Sequence, residues 1–172
     1  MDIIQIVGYK NSGKTTLTCE LVRAFSSKGL RVGTIKHDAH DHDPEPQGTD
    51  TRSHREAGAE ITAFSSPSRT AWVEEHTTPL EQLVVRMEQR ALDVLLIEGY
   101  KSAPYPKIAL LRGEEDINLL ALPNLLSVVS REPNPTLTAI AEQRRLPLFI
   151  HPDLRSFTPI IAYLLDRRER LL

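Results

Sequence analysis

A single cysteine, Cys19, is all the thiol chemistry available in 172 residues, so an intrachain disulfide is impossible and a cysteine-rich metal site is excluded. Cys19 falls in a segment that reads as helix, and a buried structural thiol is the expectation for it. No apolar run approaches the roughly 18 to 20 residues that span a bilayer, and no charged leader or cleavage site precedes the first strand-like segment. A cytoplasmic protein with no membrane partner is expected. An excess of one charge is missing too: 21 Lys and Arg against 23 Asp and Glu leave a formal net charge of -2, so nucleic acid is not an expected partner. What remains is the balance of an ordinary globular protein, 40% hydrophobic and 26% charged. The length suits one domain over residues 1–172 with a substantial core, without repeat, linker or low-complexity tract.

Strand and helix patterns alternate along the chain. Residues 2–8 are mostly apolar and β-branched, as in a central parallel strand covered on both faces. Residues 14–27 then place Leu17, Leu21, Val22 and Phe25 on one side at helical spacing, and Lys28-Gly29 supplies a basic last turn and a stop. With a second strand over residues 30–36, this makes a βαβ unit in about 36 residues. Residues 37–51 are polar and rich in Asp, His, Pro and Gly, and read as a long surface loop. Further strands are expected at 60–64, 69–73, 93–97, 107–111, 125–129 and 148–150. Helices are expected at about 79–90, at about 136–144 and from about 156 onward, the last with Ile160, Ile161, Leu164 and Leu165 on its inner side.

Gly8-Tyr-Lys-Asn11-Ser12-Gly13-Lys14-Thr15 matches G-x-x-x-x-G-K-[ST] at every fixed position, between a strand and a helix. The glycines let successive backbone N–H groups converge on phosphate oxygens, and the positive end of the helix faces the same anion. Lys14 is expected to reach the β- and γ-phosphates, and Thr15 to ligate Mg²⁺, with Thr16 next to it on the helix. The predicted class is α/β, a three-layer P-loop NTPase-type fold with a mostly parallel sheet, some antiparallel strands and helices on both faces.

A second acidic group is expected at the end of a neighbouring strand. Glu98 is the first candidate, as a catalytic residue and metal ligand: it follows four buried-type residues, and Gly99 beside it lets the backbone pass close to a ligand. Asp93, at the other end of that strand, reads as structural. In the loop after the second strand, Lys36 could neutralise phosphate charge and Asp38 could position water. The same loop could instead be a solvated segment, or its His37, His40 and His42 with nearby aspartates could hold a transition metal.

Taken together, the phosphate loop, Ile35-Lys36-His37-Asp38-Ala39-His40-Asp41, Gly48-Thr-Asp50-Thr-Arg52-Ser-His54-Arg55-Glu-Ala-Gly58-Ala59, Leu95-Leu-Ile-Glu98-Gly99-Tyr-Lys101 and Pro106-Lys107-Ile108 resemble the MobB family, the molybdopterin-guanine dinucleotide biosynthesis B proteins. The match runs in order from Ile4 to about Arg112, and the C-terminal third matches in pattern only. The resemblance implies a dimeric GTP-binding protein, using GTP and Mg²⁺; slow hydrolysis is expected because the sequence offers no catalytic glutamine or arginine finger. It also implies partnership with MobA, the guanylyltransferase that joins GMP to molybdopterin, and service to a molybdopterin or molybdoenzyme acceptor. Residue by residue, the family's segments fall on Gly8, Asn11, Ser12, Gly13, Lys14, Thr15 and Thr16, on Lys36, His37 and Asp38, on Asp50, Arg52, His54 and Arg55, and on Glu98 and Gly99. Arg52 and Arg55 would bind phosphate by charge-assisted hydrogen bonds or would simply start a surface helix, and Lys101 and Lys107 are similar candidates.

The chain departs from the wider class in two places. Where many relatives carry a lysine immediately after the first P-loop glycine, reaching across a dimer, this chain has Tyr9, and Lys10 is not assigned that role. No N-K-x-D sequence reads guanine; Val128-Val-Ser-Arg-Glu132 stands near its expected location. Two other classes stay open. One is a metallochaperone GTPase, motivated by the histidines. The other is a small-molecule kinase, for which Arg144 and Arg145 are the only lid candidates.

Overall fold

The structure is a computed structural model that describes residues 1–38, 43–152 and 157–169. The chain divides into two compact units, one made of Met1–His37 with Met87–Leu172, the other of Asp38–Arg86.

The larger unit is built on a six-stranded sheet in the order β2-β5-β1-β6-β7-β8. Its strands are β1 (Asp2–Gly8), β2 (Val32–Lys36), β5 (Val94–Glu98), β6 (Lys107–Leu111), β7 (Leu125–Ser130) and β8 (Leu148–Ile150). Every pairing in it is parallel. This bears out the expected mostly parallel sheet with some antiparallel strands: among the described residues antiparallel pairing is confined to a separate hairpin in the smaller unit, β3 (Ile61–Ser66) against β4 (Arg69–Glu74). All residues of β5 and β6 are buried, as the near-continuous apolar runs of centrally placed parallel strands require.

Alternation sends side chains to two faces. Ile4, Ile6, Leu96, Ile108 and Leu110 pack with Leu17, Leu21 and Phe25 of α1 (Lys14–Ser27) and with Ile160 and Leu164 of α5 (Thr158–Glu169). Val7, Ala109, Leu111 and Val128 face the other way, onto Leu119 and Leu120 of a 3₁₀ helix (Glu114–Ala121) and Leu137 of α4 (Pro135–Gln143). This is the expected three-layer α/β arrangement with helices on both faces.

Local chemistry explains the boundaries. Gly29 takes φ +78 just beyond α1, and Leu30 N donates back to Phe25 O at 3.1 Å, so the second strand starts at Val32 rather than at residue 30. Asn134 caps α4 by accepting from Leu137 N at 3.0 Å, with Pro135 at the first helical position. Asp93 is structural, as expected: its carboxylate accepts the Arg31 backbone N–H at 2.7 Å. Cys19 is a correction. It lies in α1 but on the exposed side, because the apolar stripe of that helix runs through Leu17, Leu21 and Phe25. The 3₁₀ helix was not anticipated; α2 (Asp50–Glu56) is the surface helix that stood as the alternative reading of Arg52 and Arg55, and its first residues fall at the end of the expected loop. The remaining helix is α3 (Leu80–Glu88). Among the described residues no helix is long and apolar enough to cross a membrane.

Candidate functional site

Parallel strands bring their carboxyl ends to one edge of the sheet, where ligands of open α/β folds bind. Here that edge collects Gly8 from β1, Lys36 from β2, Glu98 from β5 and Leu111 from β6. In register Glu98 lies between Ile6 and Lys36, so β5 places its last side chain beside the start of α1.

The phosphate loop is tightly folded. A Cβ on Gly8 would overlap Ser12 Oγ and stand 2.8 Å from the Leu110 carbonyl oxygen, so the close approach of the loop to β6 requires glycine. Asn11 (φ 63) and Gly13 (φ 95) adopt left-handed backbone conformations that turn the chain toward the helix. Ser12 Oγ is buried without a hydrogen-bond partner. Asn11, Gly13, Lys14, Thr15 and Thr16 line a cavity of about 350 Å³. Such a cradle of loop N–H groups at the helix N-terminus, with an orphaned hydroxyl under it, fits a polyphosphate.

Two contacts organise this cradle. Thr15 Oγ1 donates to Glu98 Oε1 at 2.9 Å, joining the helix to β5, and Lys14 Nζ donates to the Tyr9 carbonyl at 2.8 Å. Burial pushes the Lys14 ammonium below its ordinary range; Glu98 opposes that, while Lys101, Lys36 and Arg112 add repulsion. A hydroxyl beside a buried carboxylate suits a hard, oxygen-preferring cation such as Mg²⁺.

The turn after β5 is held from below. Gln5, fully buried between Ile4 and Ile6, donates its amide N–H groups to the Gly99 oxygen at 2.7 Å and to the Tyr100 oxygen. Gly99 has φ +97 and its missing Cβ would lie 3.0 Å from His37 Cβ, so glycine is needed to let the β2 and β5 ends pass each other. His37 N donates to Glu98 O at 2.9 Å, and the His37 ring stacks on Tyr100 with centroids 4.4 Å apart.

The β6 flank holds the candidate Lys101 together with Tyr9, Arg112, Asn118 and Arg131, to which the sequence reading assigned no role. Lys101 Nζ lies 3.5 Å from the Tyr9 ring centroid and Arg112 Cζ 5.5 Å from it, while Asn118 donates to the Tyr9 hydroxyl at 2.6 Å. Arg131, just past β7, donates to the Asn11 carbonyl. Their signal in the sequence was slight: Arg112 and Arg131 each follow a strand directly.

Three other candidates, Lys107, Arg52 and Arg55, have partners of their own. Lys107 is fully buried and its ammonium donates to the Ala103 and Pro123 oxygens at 2.8 and 3.0 Å; burial lowers its pKa. Arg52 and Arg55 belong to the smaller unit. Arg55 binds Asp43 and Glu45 at 2.8 to 3.0 Å and also Glu75, and Arg52 binds Glu56 at 3.0 Å and Asp43 at 3.4 Å. The polar cavity lined by Arg55, about 480 Å³, is walled by Asp43, Glu74 and Glu75, which repel an anion. Asp38 is exposed and opens that unit. His40 and His42 lie outside the described residues; among the described ones no cluster of three His, Cys, Asp or Glu is placed to hold a metal. Arg144 and Arg145 end α4, which runs back from the carboxyl edge of β7, and so stand at the opposite edge of the sheet from the phosphate loop.

Residues 3–131 match the family profile "Molybdopterin guanine dinucleotide synthesis protein B". The chain belongs to the MobB family. It is 33% identical over 153 residues to the probable molybdopterin-guanine dinucleotide biosynthesis adapter protein of Bacillus subtilis (strain 168), covering 88% of this chain and 86% of that one. It is also 33% identical to the adapter protein of that name in Escherichia coli (strain K12), over 76% of this chain and 79% of the relative. Among solved structures, a MobB protein homolog from Bacillus stearothermophilus superposes with a TM-score of 0.75 at 30% identity, covering 97% of both chains. The MobB profile thus spans the phosphate loop, Glu98, Arg112 and Arg131, and the structural likeness extends over the C-terminal helices as well.

Proposed function

We propose that this chain is a GTP-binding adapter of molybdenum cofactor assembly, acting in formation of molybdopterin guanine dinucleotide. The adapter names of its relatives support the pathway, and the guanine in those names favours GTP over ATP. The observation that carries nucleotide binding is the contact between Thr15 and Glu98, two groups 83 residues apart brought to 2.9 Å beside an orphaned Ser12 hydroxyl. In this reading Lys14 and the loop N–H groups of Gly8, Asn11, Ser12, Gly13 and Thr16 bind the phosphates, and Thr15 with Glu98 holds Mg²⁺. A Mg²⁺ ion held by Thr15 and Glu98 would supply neutralisation of phosphate charge. Lys36 and His37 border the same edge, and Asp38 follows them as the residue that would orient water.

Turnover is slow on this reading. Phosphoryl transfer depends on positioned charge around the terminal phosphate, and Glu98 is engaged by Thr15 rather than free to act as a base. The chain works as a cytoplasmic homodimer with a MobA-like guanylyltransferase, passing nucleotide or stabilising the complex in which a molybdopterin or molybdoenzyme acceptor is served. Exposed Ile61, Phe64 and Trp72 on the two-stranded hairpin support self-association. A role for Arg52 and Arg55 at phosphate would require them to exchange their carboxylate partners.

Titration of the purified protein with GTP, GDP and ATP in the presence of Mg²⁺ tests the reading. GTP and GDP should bind, and Lys14→Ala should abolish triphosphate binding. ATP binding with no GTP or GDP binding overturns the guanine assignment, and unchanged binding in Lys14→Ala overturns the site.

A further inference from the structure

The residue that breaks the wider pattern, Tyr9, is the hub of the β6 flank. Its carbonyl takes the Lys14 ammonium, its ring takes the Lys101 ammonium at 3.5 Å, and its hydroxyl is fixed by Asn118. Arg112 approaches the same ring and is itself locked by the fully buried Asp116, which accepts from Arg112 Nε at 2.8 Å, Nη2 at 2.6 Å and the backbone N at 2.9 Å. Lys101 is held differently. Among the described residues no carboxylate lies within ion-pair distance of it, so an aromatic face positions its ammonium without cancelling its charge.

Like charges therefore converge on one loop. Lys14 is repelled by Lys101, Lys36 and Arg112, and the carboxylate that offsets them, Glu98, is hydrogen-bonded to Thr15. An arrangement of that kind is unfavourable alone and is relieved by an anion richer in charge than the loop N–H groups alone would need.

Building on the nucleotide reading above, we propose that Lys101, set on the ring of Tyr9, forms an anion subsite on the β6 flank of the phosphate loop that takes a phosphoryl dianion. Lys101 is the ligand and Tyr9 its positioning residue, while Arg112, paired with Asp116, lies near the same ring. The phosphoryl group is either the terminal one of the bound triphosphate or the monoester of a second, phosphorylated ligand. In both cases the subsite supplies in cis a cation at the flank where the loop itself carries tyrosine.

Calorimetric titration of wild-type protein, Lys101→Met, Tyr9→Leu and Tyr9→Phe with GTP, with GDP, and with inorganic phosphate after loading with GDP separates the sources. If the terminal phosphoryl is bound, Lys101→Met weakens GTP by roughly tenfold, the loss of one charge-assisted contact, and leaves GDP unchanged. If a second ligand's phosphate is bound, GTP and GDP are unchanged and inorganic phosphate no longer binds the GDP-loaded variant. In either case Tyr9→Leu behaves like Lys101→Met while Tyr9→Phe, which keeps the ring, behaves like wild type. Wild-type values for all three titrants in both Lys101→Met and Tyr9→Leu overturn the subsite and leave the nucleotide reading standing. A wild-type protein that binds no nucleotide overturns that reading instead.

Discussion

Thr15 Oγ1 and Glu98 Oε1 meet at 2.9 Å across the junction of α1 and β5. The hydroxyl is set by the first turn of the helix and the carboxylate by the last residue of a fully buried strand, so both are rigidly placed. Glu98→Gln keeps the shape and an acceptor for Thr15 but removes the negative charge that a divalent cation needs. It should lower apparent Mg²⁺ affinity in the triphosphate complex by on the order of tenfold to a hundredfold, the usual effect of losing a group around a metal. Unfolding in urea should hardly change. Titrating GTP binding against Mg²⁺ checks this, and equal Mg²⁺ dependence in the variant and wild type would remove Glu98 from the site.

Gly8→Ala acts through space rather than through φ. The added methyl would overlap Ser12 Oγ, which can rotate, and would press on the Leu110 carbonyl, which belongs to a central strand and cannot. Overpacking of this kind should cost about 1 to 3 kcal/mol. Because the backbone clash remains, adding Ser12→Ala should restore little of it. Urea midpoints of the single and double variants give the answer; full rescue by Ser12→Ala would place the strain in the side chain alone.

How much of this was legible before the structure follows from the range of the interactions. β1, the phosphate loop and α1 are consecutive, and their periodicity and spacing set residues 8–15 and Glu98 as candidates. The grouping of Tyr9, Arg112 and Arg131 depends on β6 lying next to β1 and β7 next to β6, and strand order is not written in local pattern. Arg55 and Lys107 show the converse limit. Both are basic residues in suggestive motifs, yet acidic neighbours claim one and the backbone carbonyls of Ala103 and Pro123 claim the other. Cys19 was misplaced for a simpler reason: a helix buries one stripe, and Leu17, Leu21 and Phe25 already define it.

Asp116 bears on acid stability. The Arg112 guanidinium holds its carboxyl below the ordinary value of 3.8. A depressed folded-state pKa stabilises the fold above the unfolded value, and the contribution is lost as pH falls through the folded one. Asp116→Asn should thus be less stable than wild type at pH 7, and the gap should narrow as pH falls below 3.8 toward the lower pKa of the folded state, where wild-type Asp116 protonates. Urea midpoints of both proteins across that range provide the measurement, and a gap of constant size would mean that the carboxylate charge contributes nothing.

Trp72 is the only tryptophan, and it is 65% exposed on the hairpin face it shares with Ile61, itself 53% exposed. Among the described residues this hairpin is a two-stranded sheet of its own, and such a pair exposing large apolar side chains is seldom stable in water without further packing. If the homodimer forms through this hairpin, Trp72 sits at its centre, where an aromatic residue carries a large share of the binding energy. Trp72→Ser should then raise the dimer dissociation constant by roughly thirtyfold or more, read by sedimentation over a dilution series. Wild-type tryptophan fluorescence should shift to the red over the same dilution range, because dissociation returns the indole to water. An unchanged dimer in Trp72→Ser, with no shift on dilution of wild type, would place the dimer contact elsewhere in the chain.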